Sequence, residues 1–175
     1  MKWFAVTLVL AAVAFVGCGQ PQTPASTPVA TSVPGVPTRA QARLETINLF
    51  IGAKQLRTEL AITGEQVQTG MMFRTNMPPD DGMLFIFGQP HRASFWMKNT
   101  YVPLSAAYID SEGVIREIHD LQPTNETSVV AGFTDVQYVL EVNRDWFKSN
   151  NIAVGTRIAT EKGTLRETFF RPAGK

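Results

Sequence analysis

The sequence contains few of the residues from which metal and redox sites are built. Its 175 residues include one cysteine, Cys18, and two histidines, His91 and His119. A single cysteine excludes an internal disulfide framework and any site that needs several thiolates. The 16 basic and 15 acidic residues give a formal net charge of +1, which excludes binding to nucleic acid through bulk positive charge. We therefore predict no metal, no cofactor and no nucleic-acid partner.

Common catalytic motifs are also missing. The chain has no Gly-x-Ser-x-Gly nucleophile turn, no phosphate-binding loop and no His-Glu-x-x-His pair. Its hydrophobic fraction is 44% and its charged fraction 18%, which is typical of a chain that folds around an apolar core. The length suits one domain with an appendage.

An apolar run opens the chain. Residues 3–16 carry no charge and are followed by Gly17 and Cys18. The run is shorter than the roughly 20 residues of a membrane span and suits a signal peptide. A small residue before a cysteine at this place resembles the lipobox of bacterial lipoproteins, although Phe15 stands where leucine is usual.

That resemblance implies that residues 1–18 form a signal peptide ending at the lipobox and that Cys18 carries diacylglycerol after cleavage. The protein would then be anchored to a membrane, facing the extracytoplasmic side of the cell envelope. The alternative is an ordinary signal peptide, or an uncleaved anchor, in which Cys18 is incidental. Residues 19–43 are rich in Pro, Thr and Ser without a regular period, which predicts an extended linker.

Residues 44–172 read as one β-rich domain. We predict strands at 46–51, 54–61, 82–87, 93–97, 104–109, 114–121 and 136–142, and strands at 152–160 and 164–170 to close the chain. Apolar residues alternate in 46–51 and 136–142, and 82–87 is a wholly apolar run. Thr63 and Gln66 fit a capping box before a short helix, and Asn143 is interpreted as the cap of a second. Because no βαβ rhythm is evident, we predict a mainly β fold, an antiparallel sandwich or barrel-like sheet with two short peripheral helices.

Five runs of this domain resemble the DUF192 family of small prokaryotic domains. They are Gly70-Met71-Met72-Phe73-Arg74, Gly82-Met83-Leu84-Phe85-Ile86-Phe87, Ser94-Phe95-Trp96-Met97-Lys98-Asn99-Thr100, Val102-Pro103-Leu104 and Tyr138-Val139-Leu140-Glu141-Val142-Asn143. The resemblance implies a compact β-rich fold and no established reaction. Many relatives carry Asp where this chain has Ser105, and some carry a cysteine pair that is absent here.

The candidate ligand-binding residues are polar or aromatic side chains in these runs: Arg74, Trp96, Lys98, Asn99 and Glu141. An aromatic plate beside amide and ammonium donors is typical of a site for a small polar or peptide-like ligand. Each residue also has a structural explanation. Trp96 could pack under a helix, Lys98 and Asn99 could satisfy a turn, and Glu141 could form an ion pair, for example with Lys98. Arg74 could tether its own loop through Asp80 or Asp81.

Three functions remain open at this point. The first is a membrane-anchored, non-catalytic module that binds a ligand or supports the envelope. The second is an enzyme acting on envelope material through Lys98, Glu141 or His119, since histidine titrates near neutral pH. The third is a structural module without a small-molecule site.

Overall fold

A computed structural model describes residues 35–170, which form a mainly β domain. Ten strands and three short helices occur in this part of the chain. In chain order they are β1 (Thr46–Ile51), β2 (Lys54–Ala61), α1 (Gly64–Thr69), β3 (Asp81–His91), β4 (Ser94–Phe95), β5 (Leu104–Asp110), β6 (Ile115–Leu121), β7 (Val129–Val130), β8 (Val136–Asn143), α2 (Trp146–Ser149), β9 (Ile158–Thr160), β10 (Gly163–Thr164) and α3 (Leu165–Phe169). The predicted mainly β class is confirmed.

Eight strands form one sheet in the order β10-β9-β1-β2-β3-β8-β5-β6, and β4 pairs with β7 separately. All pairs are antiparallel except β2 with β3, which are parallel. The sheet is thus mixed and is not closed into a barrel. The parallel pair requires a crossover, which α1 and residues 70–80 supply. The helix in that crossover has only six residues. A helix this short does not produce the strand–helix–strand pattern from which a parallel pair is predicted.

The two faces of the sheet bury two separate apolar clusters, here called core A and core B. Core A contains mainly side chains of the central strands with α2 and α3, including Leu49, Leu56, Leu84, Tyr138, Leu140, Phe147 and Leu165. Core B includes Ala61, Met71, Met83, Phe85, Met97, Ala106, Tyr108 and Val139. Strand β8 separates them, because its successive side chains point to opposite faces.

Helices α1 and α3 begin where side chains satisfy free backbone N–H groups, whereas α2 begins without a side-chain cap. In α1 the Thr63 hydroxyl accepts from the Gln66 N–H at 3.2 Å, and the Gln66 side chain accepts from the Thr63 N–H at 3.0 Å. This confirms the predicted capping box. The predicted cap at Asn143 is wrong. Its amide donates instead to the carbonyls of Met77 and Pro78, at 3.2 and 2.8 Å.

The close packing of β3 against β8 makes a glycine necessary at position 82. A Cβ there would lie 2.9 Å from the Glu141 carbonyl oxygen and 3.0 Å from Leu56 Cδ2. We expect Gly82→Ala to lower the free energy of unfolding by about 1–3 kcal/mol, as overpacking does. Gly88→Ala on the same strand is the matched control, since nothing lies within 4 Å of a Cβ there. Equal urea midpoints for the two variants would contradict this account.

Within residues 35–170 no helix is long and apolar enough to cross a membrane. The predicted signal peptide, Cys18 and the linker up to residue 34 lie outside the described residues, as do residues 171–175. The signal peptide, the anchor and the domain boundaries therefore stay predictions.

Candidate functional site

A cavity of about 350 Å³ lies on the core B side of the sheet. Its walls come from α1, from the outer part of β3, from the segment that follows β4, and from residues 35–37. Most of the wall is apolar, with aromatic rings from Phe85, Phe87, Phe95 and Trp96. Concave apolar sites with a few polar groups are where small molecules usually bind.

The segment after β4 presents Trp96 to the cavity because its residues alternate in direction. Phe95 packs inward, with its ring centroid 4.9 Å from that of Phe85 in an edge arrangement. Met97 is buried in core B, and its N–H donates to the Asn125 carbonyl at 2.8 Å. Trp96 between them is 42% exposed. The indole therefore forms part of the cavity rim instead of packing under a helix.

Lys98 and Asn99 also line the cavity. The Lys98 ammonium lies 5.2 Å from the centre of the Trp96 ring and 3.4 Å from a carboxylate oxygen of Glu126. Asn99 adopts a positive φ of 53°, a conformation that asparagine tolerates better than most residues. Its carbonyl accepts from the Phe73 N–H at 2.7 Å, which holds this segment against the chain after α1.

Glu141 is the buried titratable group among the residues that line the cavity. It lies on β8 between Met83 of β3 and Ala106 of β5, and only 4% of the residue is exposed. Its carboxyl forms no hydrogen bond or ion pair with any residue in 35–170. Burial raises the pKa of this carboxyl to about 8, because the charged form loses its hydration. The expected ion pair between Glu141 and Lys98 is therefore absent, and Lys98 pairs with Glu126.

Arg74 is separate from this group. It does not line the cavity, and its guanidinium binds both carboxylate oxygens of Glu59 at 2.6 and 2.8 Å. Burial would raise the pKa of the Glu59 carboxyl, but the hydrogen bonds from Arg74 and from the Leu44 N–H outweigh it and hold that pKa below its ordinary value. Arg74 tethers its loop as the structural explanation predicted, although through Glu59 and not through Asp80 or Asp81.

The structure thus brings together Trp96, Lys98, Asn99 and Glu141 and leaves Arg74 outside the cavity lining. His119 is also outside the lining, and its Nε2 lies 2.7 Å from a carboxylate oxygen of Glu117. His119 thus contacts Glu117 and lies outside the cavity lining that Glu141 and Lys98 share. No group of three or more His, Cys, Asp or Glu residues in 35–170 is placed to hold a metal ion.

Several cavity residues gave no signal in the sequence. The C-terminal turn of α1, Val67 to Thr69, lines the cavity, and His91 packs edge-on against Phe87 with ring centroids 4.3 Å apart. Residues 35–37, which fall in the predicted linker, complete the wall. The Gln68 amide donates to the Gly35 carbonyl. The capping box predicts that α1 exists, but nothing in its sequence indicates which face of the sheet it covers.

Comparisons with known proteins agree with this architecture. A crystal structure from Sinorhizobium meliloti 1021, described as a proposed transcription regulator, is 35% identical with a TM-score of 0.66, covering 69% of this chain and 98% of its own. A protein of unknown function from Novosphingobium aromaticivorans DSM 12444 is 28% identical with a TM-score of 0.63, covering 71% of this chain and 98% of its own. Among curated protein sequences, none matches the chain.

The sequence profile of DUF192, described as an uncharacterized ACR, matches residues 47–160. The matched stretch runs from β1 to the end of β9 and contains Trp96, Lys98, Asn99 and Glu141. It thus includes both the central strands and most of the cavity. The chain belongs to the DUF192 family.

Proposed function

We propose that this domain is a non-catalytic module that binds a small ligand in the cavity beside Trp96. The apolar body of the ligand lies against the rings of Trp96, Phe95 and Phe85, and its polar group reaches the Glu141 carboxyl. The observation that carries the proposal is the unpartnered Glu141 carboxyl, 4% exposed, in a cavity of about 350 Å³. Buried polar groups nearly always have partners, so a ligand that supplies one would be favoured.

The enzyme hypothesis has less support. Of the three candidate acid–base residues, His119 lies outside the cavity lining and Lys98 is paired with Glu126. Neither of the other two candidates is therefore free in the cavity to complete an acid–base pair with Glu141, which general acid–base catalysis of hydrolysis ordinarily uses. A binding module needs only the cavity and the carboxyl.

The binding proposal predicts that Trp96→Ala weakens ligand binding. The neutral dye N-phenyl-1-naphthylamine is a suitable probe, because its fluorescence rises in apolar surroundings. We expect a loss of about tenfold in affinity, since removal of one aromatic contact costs on the order of 1–2 kcal/mol. The measurement is a fluorescence titration of the full chain.

Tyr101→Ala is the matched control. Tyr101 is 50% exposed, close to the 42% of Trp96, but does not line the cavity. We expect this variant to bind the dye with the same affinity as the unmodified protein. Any background binding of the dye to the apolar N-terminal run is the same in all variants and cancels in the comparison. Equal losses for the two variants, or no loss for either, would contradict the proposal.

A second part of the proposal concerns how the protein is attached to a membrane. We propose that a lipid on Cys18 anchors the domain in the cell envelope and that the linker holds it away from the membrane. The lipobox-like sequence at 15–18 and the proline-rich composition of 19–43 support this. Two or more acyl chains give stable membrane attachment.

Expression in a bacterial host tests the anchor. Mass spectrometry of the mature protein should find residue 18 at the N-terminus with the added mass of the lipid. Cys18→Ala should move the protein from the membrane fraction to the soluble or unprocessed fraction. A mature protein with an unmodified Cys18 thiol would show that the anchor proposal is wrong, without affecting the binding proposal.

A further inference from the structure

We propose that the cavity selects a cationic ligand, a protonated amine carried on an aromatic or branched apolar group, which forms an ion pair with Glu141. This inference rests on the proposed binding function and names the chemical class of its ligand. Two observations support it: the charged groups in and around the cavity, and the aromatic rings that line its walls.

The charges around the cavity favour a cation over an anion. The titratable groups that line it or share its side of the sheet are Arg57, Glu59, Arg74, Asp81, His91, Lys98, Tyr108, Glu117, His119 and Glu141, of which Arg57 and Asp81 pair with each other. Most have partners within the described chain: Glu59 with Arg74, Lys98 with Glu126, Glu117 with His119, and the Tyr108 hydroxyl with the Val129 carbonyl. His91 packs against Phe87. Glu141 is left as the carboxyl without a partner among the described residues, so its ionised form is the charge that a cationic ligand would compensate.

An anionic ligand would meet two obstacles. Lys98 is the cation on the cavity wall, and Glu126 lies 3.4 Å from its ammonium. A ligand carboxylate would have to replace that contact and would also lie in the same small cavity as the Glu141 carboxyl. Like charges in a site of low polarity repel strongly, so this second obstacle acts as the pH rises and Glu141 ionises.

The aromatic walls add an attraction that a neutral ligand does not gain. The rings of Phe85, Phe87, Phe95 and Trp96 line the cavity, and ring faces attract ammonium groups. Lys98 already shows this contact, with its ammonium 5.2 Å from the centre of the Trp96 ring. A carboxylate together with aromatic faces is therefore a set of groups suited to an ammonium ion.

Binding would move one proton. In the free protein burial favours the protonated Glu141 acid at neutral pH. When a protonated amine binds, Glu141 loses its proton to the solvent and the resulting carboxylate pairs with the ammonium. No bond other than that O–H bond breaks, and no other reactant is needed. Affinity for an amine should therefore rise with pH until Glu141 is ionised in the free protein.

The test compares 2-phenylethylamine with 2-phenylethanol, which has the same ring and nearly the same size without the charge, and with phenylacetate. NMR titrations of the full chain at pH 6, 7 and 8 give the three dissociation constants. We expect the amine to bind at least tenfold more tightly than the alcohol at pH 8. Its affinity should rise by up to tenfold per pH unit between 6 and 7, whereas that of the alcohol should not rise. Phenylacetate should bind most weakly.

Glu141→Gln should abolish both the preference for the amine and its pH dependence, and Glu45→Gln, at an exposed site outside the cavity lining, should retain them. Tight binding of the alcohol or of phenylacetate, lost in Trp96→Ala, would overturn the amine inference and leave the binding module supported. If none of the three probes nor the naphthylamine dye binds, both proposals are overturned.

Discussion

Replacing Arg74 with methionine should lower the free energy of unfolding by about 3–5 kcal/mol, the usual effect of leaving a buried charge without its partner. The side chains of Arg74 and Glu59 are only 14% and 8% exposed, and the guanidinium binds both carboxylate oxygens. In the variant the Glu59 carboxylate would keep one hydrogen bond, from the Leu44 N–H. The measurement is urea denaturation at pH 7.

A second ion pair in the same sheet supplies the matched control. Arg57 binds both carboxylate oxygens of Asp81, at 3.0 and 2.6 Å, but its side chain is 53% exposed. Arg57→Met should therefore change stability far less than Arg74→Met, because water screens an exposed pair. Adding Glu59→Leu to Arg74→Met should recover part of the loss. Equal effects of the two arginine replacements would show that burial does not decide the strength of these pairs.

The second large effect is on the pH dependence of stability. Burial raises the pKa of Glu141 in the folded protein to about 8, from an ordinary value of 4.5. Between these pH values the folded state holds a proton that the unfolded chain has released, so stability falls as pH rises. The slope approaches about 1.4 kcal/mol per pH unit. Glu141→Gln removes this titration and should gain several kcal/mol relative to the unmodified protein by pH 8.

Urea denaturation at pH 5, 6.5 and 8 measures the difference in the free energy of unfolding between Glu141→Gln and the unmodified protein. At pH 5 the two proteins should differ little, because the Glu141 acid and the Gln amide are both neutral. Glu45→Gln is the control, at an exposed site where stability should follow the unmodified protein at every pH. A constant difference between Glu141→Gln and the unmodified protein across the three pH values would contradict the raised pKa.

The sequence predicts the strands well where apolar residues alternate. The predicted strands at 46–51 and 54–61 coincide with β1 and β2. The last two predicted strands are largely wrong. Only Ile158–Thr160 of the predicted 152–160 is a strand, and Leu165–Phe169 of the predicted 164–170 forms α3. Thr164 and Glu167 make a capping box there. The helix was therefore visible in the sequence as Thr-x-x-Glu, and the aromatic residues that follow it favoured the wrong prediction.

The sequence predicts only part of the site, because the residues of the site come from different elements. Alternation within 95–97 places the Trp96 side chain outward. Alternation along β8 places the Glu141 side chain on the face of the sheet opposite to that of Tyr138 and Leu140. Pairings between distant segments cannot be read in this way. Lys98 meets Glu126 and Arg74 meets Glu59 because loops fold back over the sheet. No local pattern records those contacts, nor the place of residues 35–37 in the cavity wall.

The titration of the Glu141 carboxyl is the most direct test of the central claim, that the cavity holds a buried acid without a partner. Carbon-13 NMR of the side-chain carboxyl, assigned with Glu141→Gln, gives its pKa in the full chain. We expect a midpoint near 8 in the free protein and a lower midpoint with 2-phenylethylamine bound. A midpoint near 4.5, unchanged by the amine, would mean that the carboxyl is already hydrated or paired, and the account would be wrong.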